Sequence, residues 1–85
     1  MKNIIITGTS RGIGYELALQ FAKEGHQVLA ISRKTRHELI QNSNITCLSI
    51  DISDENQLLQ VESFIKTAWQ NKVDILINNA GLLIS

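Results

Sequence analysis

The feature that most restricts the fold of this chain is a regular alternation between two hydrophobic periods. Short β-branched and aliphatic runs, typical of strands buried on both faces, alternate with segments whose apolar residues recur at helical spacing. The strands are predicted at residues 2–7, 27–32, 45–50 and 73–78. The helices are predicted at residues 12–24, briefly within 35–42, and from a cap at Ser53 or Asp54 to about residue 71. This β-α-β-α-β-α-β order indicates a parallel sheet joined by right-handed crossovers.

The composition limits the kind of protein to which such a sheet can belong. The chain has 85 residues, 44% of them hydrophobic, and its basic and acidic side chains balance to a formal net charge of zero. The length fits one domain, 1–85, and the lack of net charge argues against nucleic acid or an anionic membrane as a partner. A single cysteine, no secretory signal and no apolar run near the ~20 residues of a membrane span predict a cytoplasmic location.

The segment TGTSRGIG joins the first predicted strand to the first helix, where an open parallel sheet binds nucleotide phosphates. Gly8 can turn the chain sharply, Gly12 lets the main chain approach a pyrophosphate, and Gly14 lets the helix pack closely on the strand. Free N–H groups at the helix start attract an anion, to which Ser10 and Arg11 add a hydroxyl and a cation. The spacing matches neither the G-x-G-x-x-G fingerprint nor a P-loop, so the turn alone is either a nucleotide site or a structural turn.

The end of the second predicted strand bears on the choice between NAD and NADP. Enzymes that bind NAD commonly place an acidic residue there, whereas a nearby arginine pairs with the 2′-phosphate of NADP. Ser32 and Arg33 occupy this position, Lys34 and Arg36 follow, and no carboxylate is present to repel a phosphate. With Arg11 directed at the same region, the sequence favours NADP over NAD. The alternative is a solvated basic loop.

Two further groups of residues follow predicted strands at the same edge of the sheet. Asp51 can accept a hydrogen bond from an adenine amino group while Ile52 packs on the ring, or Asp51 can simply start a turn before the helix. Residues 78–81 (NNAG) close the fourth strand. Their amides suit the holding of buried main chain and the close approach of a ribose, although the same four residues can form an ordinary turn.

These motifs together resemble the short-chain dehydrogenase/reductase family over essentially the whole chain. TGTSRGIG resembles the family's TGxxxGIG cofactor motif, NNAG resembles its second signature, and DIS at 51–53 stands where the family has an acidic or amide residue before an aliphatic one. The resemblance implies an NAD(P)(H)-binding α/β fold of the Rossmann type, a doubly wound parallel sheet with its first four strands in the order 3-2-1-4. It assigns Asn78 to bracing the central strands. The residues that it assigns to the cofactor are Gly8, Ser10, Arg11, Gly12, Ile13, Gly14, Ser32, Arg33, Asp51, Ile52, Asn79, Ala80 and Gly81.

The chain departs from the family where the chemistry begins. The family uses a Tyr-x-x-x-Lys pair and an upstream serine, but the one tyrosine here, Tyr15, is followed four residues later by Leu19. No catalytic residue is therefore assigned. The resemblance implies that a longer parent protein carries out reversible redox chemistry on a small carbonyl or alcohol substrate. The 85 residues alone are predicted to bind a nicotinamide dinucleotide weakly at most, without turnover.

Other interpretations of the sequence remain alongside this one. The chain can be a non-catalytic nucleotide-binding module, or a fragment that associates with itself as a homo-oligomer through an exposed fourth strand. His26 and His37 have no partners at ligand spacing, so no metal site is predicted. Cys47 is interpreted as a small buried hydrophobic residue, and Phe64 and Trp69 as helix core.

Overall fold

The structure, a computed structural model, describes residues 1–79, in which four strands and three helices alternate along the chain. The strands are β1 (Asn3–Thr7), β2 (Gln27–Ser32), β3 (Ile45–Ser49) and β4 (Ile75–Asn78). The helices are α1 (Gly12–Lys23), α2 (His37–Ile40) and α3 (Glu55–Ala68). All three strand pairs are parallel, and the order across the sheet is β3-β2-β1-β4. The predicted Rossmann-type architecture and its strand order are confirmed.

The central strand β1 shows why the strands are apolar at almost every position. Ile5 lies opposite Leu29 of β2 and Leu76 of β4 in the parallel register. Successive side chains of a strand point to opposite faces, so Ile4 and Ile6 enter one hydrophobic cluster and Ile5 enters the other. Helices α1 and α2 cover the first face and α3 covers the second, so both faces of β1 and β2 are removed from water.

The helix α1 lies close to the sheet because it presents small residues to it. Ala18 and Ala22, one turn apart, are buried against the cluster that contains Ile4 and Ile6. The single turn of α2 adds Leu39, which is almost fully buried in the same cluster. This tight layer holds the start of α1 in a defined position relative to the end of β1.

The helix α3 covers the opposite face less completely. Val61, Phe64 and Ile65 pack against the second cluster, but no residue of α3 is fully buried. Leu58, predicted to belong to the same apolar stripe, is 37% exposed, and Leu59 is 58% exposed. Within residues 1–79, α3 is therefore held along one narrow side only.

The third helix ends earlier than the sequence predicts. Gln70 and Asn71 have φ angles of 50° and 64°, which a right-handed helix does not accommodate, and the N–H of Asn71 donates to the carbonyl of Ile65 at 2.9 Å. Trp69 therefore lies at the helix end, yet its ring is buried and packs edge-on to Phe64 with 5.1 Å between ring centroids. Trp69 belongs to the buried second cluster, as predicted, whereas Phe64 is half-buried against that cluster.

Candidate functional site

The carboxyl ends of the four parallel strands meet at one edge of the sheet. The chain leaves β1 for one face through α1 and enters β4 from the other face through α3, so the strand order reverses between β1 and β4. Open α/β sheets bind ligands in the crevice at such a reversal, outside the carboxyl ends of the strands. The loops after β1, β2 and β3 and residue Asn79 lie at this edge.

The turn between β1 and α1 is anchored to the neighbouring strand. The N–H of Gly8 donates to the carbonyl of Ile31 in β2 at 2.8 Å, and the N–H of Thr9 reaches the same oxygen at 3.4 Å. Gly8 has a φ of 71° and Gly12 a φ of 67°, in the left-handed region that glycine adopts without strain. A Cβ added to Gly12 would meet no atom within 4 Å, so the main chain there is open to an approaching group.

Gly14 serves a different purpose in the same segment. It is buried, and a Cβ at this position would collide with the carbonyl oxygen of Gly8 and lie 2.7 Å from Nδ2 of Asn79. That amide nitrogen of Asn79 donates to the carbonyl oxygen of Gly8 at 3.1 Å. The close packing of helix on strand that the sequence expects of Gly14 is therefore present, and Asn79 holds the glycine turn from the β4 side.

Asn78 links β4 to β1 through its side chain. Its Oδ1 accepts a hydrogen bond from the hydroxyl of Thr7 at 3.0 Å. Thr7 and Asn78 are opposite each other in the register of β1 and β4. This bond closes the carboxyl end of the strand pair directly beneath the glycine turn.

The start of α1 offers main-chain donors to a ligand. Arg11 is the N-cap with extended φ and ψ, and within residues 1–79 no side chain caps the helix start and no acidic residue lies in its first turn. The first N–H groups of a helix have no partner within the helix and carry partial positive charge. Beside them Arg11 is exposed and Ile13 is 66% exposed, a large apolar surface at the mouth of the crevice.

The loop after β2 presents its cations on an ordered main chain. The hydroxyl of Ser32 donates to the carbonyl of Lys34 at 2.6 Å, and the hydroxyl of Ser49 donates to the carbonyl of Arg33 at 2.7 Å. The Arg33 and Lys34 side chains are exposed, whereas Ser32 is buried. The Ser32 hydroxyl thus contributes to the loop conformation, in addition to the phosphate contact that the sequence predicts for this residue.

Arg36 does not lie free in the solvent with the other cations of this loop. Its Nη1 donates to the carbonyl oxygen of Ser10 at 3.0 Å, and its guanidinium carbon lies 4.3 Å from the centre of the Tyr15 ring. Its Nε is 3.6 Å from a carboxylate oxygen of Glu38. The contact between Arg36 and Tyr15 leaves no signal in the sequence, because the two residues lie on different elements and no local spacing relates them.

Asp51 takes part in the turn before α3. Its Oδ1 accepts from the hydroxyl of Ser53 at 2.7 Å and from the N–H of Ser53 at 2.9 Å. These bonds, the hydroxyl bond first, together with the nearby charge of Arg33, hold the pKa of Asp51 below its ordinary value. The N–H of Asp51 donates to Oε1 of Gln57 at 2.7 Å. Asp51 is therefore held as an ionised acceptor at the edge of the site.

Asp54, one of the two predicted caps, caps the start of α3. The Asp54 carboxylate accepts from the N–H of Asn56 at 2.9 Å and from Nε2 of Gln57 at 3.1 Å. Ile52 is half-buried and packs against the second cluster. Ala80 and Gly81, also assigned to the cofactor from the sequence, lie outside the described residues.

Residues 1–79 contain neither a metal-binding cluster nor a membrane-spanning helix. No group of three His, Cys, Asp or Glu side chains there is arranged to hold a metal ion. No helix in that part of the chain is long and apolar enough to cross a membrane. Cys47 is half-buried, and burial raises the pKa of its thiol, so the thiol is held in the protonated form.

Nearly the whole chain is similar to known short-chain dehydrogenases. The family model described as short chain dehydrogenase matches residues 2–85. An NADPH-dependent 1-acyldihydroxyacetone phosphate reductase of Schizosaccharomyces pombe is 39% identical over 82 residues, which cover 94% of this chain and 28% of the relative.

Solved structures show the same likeness. A short chain dehydrogenase from Bacillus anthracis has a TM-score of 0.76 at 31% identity, covering 92% of this chain and 34% of its own. ElxO with NADP bound has a TM-score of 0.73 at 32% identity, covering 93% of this chain and 35% of its own. The chain thus spans about a third of the length of the proteins that it matches. It belongs to the short-chain dehydrogenase/reductase family.

Proposed function

We propose that the chain is the NADP(H)-binding part of an oxidoreductase that transfers hydride between nicotinamide and a carbonyl or alcohol substrate. The observation that carries this proposal is the geometry of the glycine turn. Gly8 and Gly12 adopt left-handed main-chain conformations, Gly14 leaves room only for a hydrogen atom, and the helix start carries no side-chain cap within residues 1–79. A pyrophosphate needs this combination of close main-chain approach and unpaired N–H groups.

The residues of the glycine turn and of the start of α1 fit the pyrophosphate of the cofactor. Gly12 is open on the side where its Cβ would stand, and Ser10 and the exposed Arg11 precede it in the sequence. We propose that Ile13 is covered by the bound dinucleotide, which would remove its exposed apolar surface from water. Gly14 acts indirectly, by letting α1 approach the turn.

The preference for NADP rests on the loop after β2. Ser32 stands where NAD enzymes commonly place an acid, and Arg33 follows it with an exposed guanidinium. Within the described residues, neither Arg11 nor Arg33 forms an ion pair with an acidic side chain. The two cations are therefore available to a 2′-phosphate. The names of the NADPH-dependent fission-yeast relative and of the NADP-bound ElxO structure support the same choice.

The remaining proposed contacts concern the adenine and the ribose. Asp51, ionised and held by Ser53, would accept from the adenine amino group, and Ile52 would pack beside the ring. Asn79 already bonds the carbonyl of Gly8, so its proposed role toward the ribose is to shape the crevice with Ala80 and Gly81.

Catalysis is proposed for a longer protein rather than for these residues. The family's serine and Tyr-x-x-x-Lys pair have no counterpart here, since the one tyrosine, Tyr15, lies in α1 under Arg36. The chain covers 28% of the fission-yeast reductase. When bound, the nicotinamide supplies or accepts the hydride, and the present residues would bind and orient it. The 85-residue chain should therefore bind cofactor without turning over a substrate.

A second candidate function is self-association through β4. Within the described residues β4 pairs only with β1, and Leu76 on it is 64% exposed. An apolar strand with an unpaired edge is a template for pairing with another chain. A homo-oligomer of the 85-residue chain would follow.

Titration with NADPH and NADH tests the cofactor proposal. We expect NADPH to bind the 85-residue chain more tightly than NADH does, and Arg33→Ala to raise the Kd for NADPH about tenfold while the Kd for NADH stays unchanged. Lys66→Ala, which removes a cation from the last turn of α3, is the matched control and should leave both constants unchanged.

The same titration identifies the results that would contradict the proposal. Tighter binding of NADH than of NADPH would reverse the assignment of the cofactor. An undiminished preference for NADPH in Arg33→Ala would show that the Arg33 guanidinium does not bind the 2′-phosphate. If the 85-residue chain bound neither NADPH nor NADH, the proposal that it binds the cofactor by itself would be wrong.

A further inference from the structure

We propose that Arg36 is a positioning residue that orients the Ser10–Arg11 peptide of the glycine turn. It would thereby support both NADPH and NADH rather than select the 2′-phosphate. This inference rests on the proposed function, because it concerns how the same site is built. It distinguishes Arg36 from Arg33, although both cations belong to the segment that follows β2.

The contacts of Arg36 reach two parts of the turn-and-helix unit from a separate element. Nη1 donates to the carbonyl oxygen of Ser10 in the turn at 3.0 Å, and the guanidinium lies over the ring of Tyr15 in the first turn of α1 at 4.3 Å. A guanidinium over an aromatic face is attracted by the ring as well as by the hydrogen-bond acceptor. The side chain of Arg36 therefore joins the loop after β2 to the loop after β1.

The main chain of Arg36 is itself held in place. Its carbonyl oxygen accepts from the N–H groups of Leu39 and Ile40 at 3.0 and 3.1 Å as the N-cap of α2. Leu39 is almost fully buried in the first hydrophobic cluster. The main chain of Arg36 is thus held against the core. Its guanidinium therefore bonds Ser10 from a defined position.

A hydrogen bond to the Ser10 carbonyl also determines the direction of the next N–H group. In a planar trans peptide the C=O and the following N–H point in opposite directions. Arg36 therefore directs the N–H of Arg11 away from itself, immediately before Gly12 and the open start of α1. Without this bond, the Ser10–Arg11 peptide has fewer constraints on its orientation.

The charge of Arg36 is already balanced by its surroundings. Its Nε lies 3.6 Å from Glu38, and one face of the guanidinium is turned to Tyr15. To bind a 2′-phosphate directly, the side chain would have to give up these partners together with Ser10. Arg33 and Arg11 form no direct ion pair within the described residues, although the charge of Arg33 acts on Asp51 at longer range.

Binding measurements and carbonyl chemical shifts together test the positioning role. In Arg36→Ala we expect the Kd values for NADPH and NADH to rise by the same factor, about fivefold, because the turn serves both cofactors. We also expect the carbonyl ¹³C resonance of Ser10 to move upfield in the chain without cofactor, since its hydrogen bond is lost. Arg36→Lys keeps one donor and should restore part of both effects.

A matched control separates position from charge. Lys34→Ala removes the same charge from the same loop. None of the contacts given above joins the Lys34 side chain to Ser10 or Tyr15, so the Ser10 carbonyl resonance should not move in this variant. Tyr15→Leu removes the ring beneath Arg36 and should move the resonance in the same direction as Arg36→Ala, by a smaller amount.

The outcomes distinguish a failure of the positioning role from a failure of the proposed function. If the parent chain binds the dinucleotides saturably but the Ser10 resonance does not move in Arg36→Ala, the positioning role is wrong and the proposed function stands. Loss of NADPH affinity with unchanged NADH affinity in Arg36→Ala would also overturn it, in favour of direct phosphate contact. Failure of the parent chain to bind either dinucleotide would overturn the proposed function, while the Ser10 resonance would still test the contact. A chain whose amides all exchange at random-coil rates would contradict both proposals, which require the described fold.

Discussion

At the scale of single residues, Gly14 shows how one missing side chain determines the geometry of the crevice. The site where its Cβ would stand is occupied by the carbonyl of Gly8 and the amide of Asn79. Two of these three residues belong to the turn and the helix, and the third follows β4. The contact therefore joins the parts of the crevice that are furthest apart in the sequence.

Gly14→Ala is expected to destabilise the chain by about 2 kcal/mol, because overpacking at a buried position forces main chain and side chains apart. The substitution should also abolish dinucleotide binding, since α1 and the turn can no longer approach. Urea unfolding followed by the fluorescence of Trp69, the one tryptophan of the chain, measures the stability.

Gly25→Ala is the control for that experiment. Gly25 has a φ of 90° but no atom within 4 Å of an added Cβ, so its substitution costs conformational strain alone, about 1–2 kcal/mol. Dinucleotide binding should survive in Gly25→Ala, which lies at the other end of α1. Wild-type stability and binding in Gly14→Ala would show that the close contact is unnecessary.

At the scale of elements, a pair of bonds aligns β4 with β1 at their amino ends. The carboxylate of Asp74 accepts from the N–H of Asn3 at 2.7 Å, and the N–H of Asp74 donates to the carbonyl of Asn3 at 2.9 Å. The amide of Asn3 also donates to the carbonyl of Lys72 at 3.0 Å. These bonds set β4 to begin at Ile75, two residues later than predicted.

The Asp74 carboxylate gives this junction a pH dependence. The main-chain N–H of Asn3, and to a smaller degree nearby positive charges, hold the pKa of Asp74 below its ordinary value. A lowered folded pKa stabilises the fold above the unfolded value of about 3.9, and this contribution is lost as the pH falls through the folded pKa. Asp74→Asn should therefore be less stable at neutral pH and lose less stability on acidification.

Urea midpoints measured between about pH 6 and pH 2 test this expectation. Glu62→Gln, which removes a negative charge from the exposed side of α3, is the control and should keep the acid dependence of the parent chain. Parallel curves for Asp74→Asn and the parent chain would show that the Asp74 carboxylate does not couple folding to pH.

At the scale of the whole molecule, the described chain has one well-covered sheet face and one sheet edge with an exposed apolar residue. The first face is closed by α1 and α2, whereas α3 leaves Leu59 exposed and β4 leaves Leu76 exposed. Proteins that resemble the chain are about three times as long. Within residues 1–79, Leu76 on β4 is thus the position at which the proposed self-association can be tested.

Leu76→Lys tests association through that strand, because a lysine on an edge strand discourages pairing. We expect the sedimentation coefficient of the parent chain to rise with concentration and that of Leu76→Lys to rise less. Leu59→Lys removes a leucine of similar exposure, 58% against 64% for Leu76, from α3 and should associate as the parent does. A parent chain that is monomeric at all concentrations would contradict self-association, and equal effects of both variants would contradict the role of β4.

The sequence by itself determined the alternation of strands and helices, the parallel strand order implied by the family motifs, and the position of the glycine turn. These features depend on local periodicity and on main-chain conformations that only certain residues adopt. The early end of α3 is not among them, because the sequence does not indicate the left-handed conformations of Gln70 and Asn71.

Only the tertiary structure decided which side chains hold the crevice together. Arg36 bonds Ser10 across 26 positions of the sequence, and Asn79 bonds Gly8 across 71. A basic loop and an amide-rich turn look the same in sequence whether their side chains meet a ligand or another part of the chain. Their partners depend on the strand order and the parallel register, which bring distant loops to the same edge of the sheet.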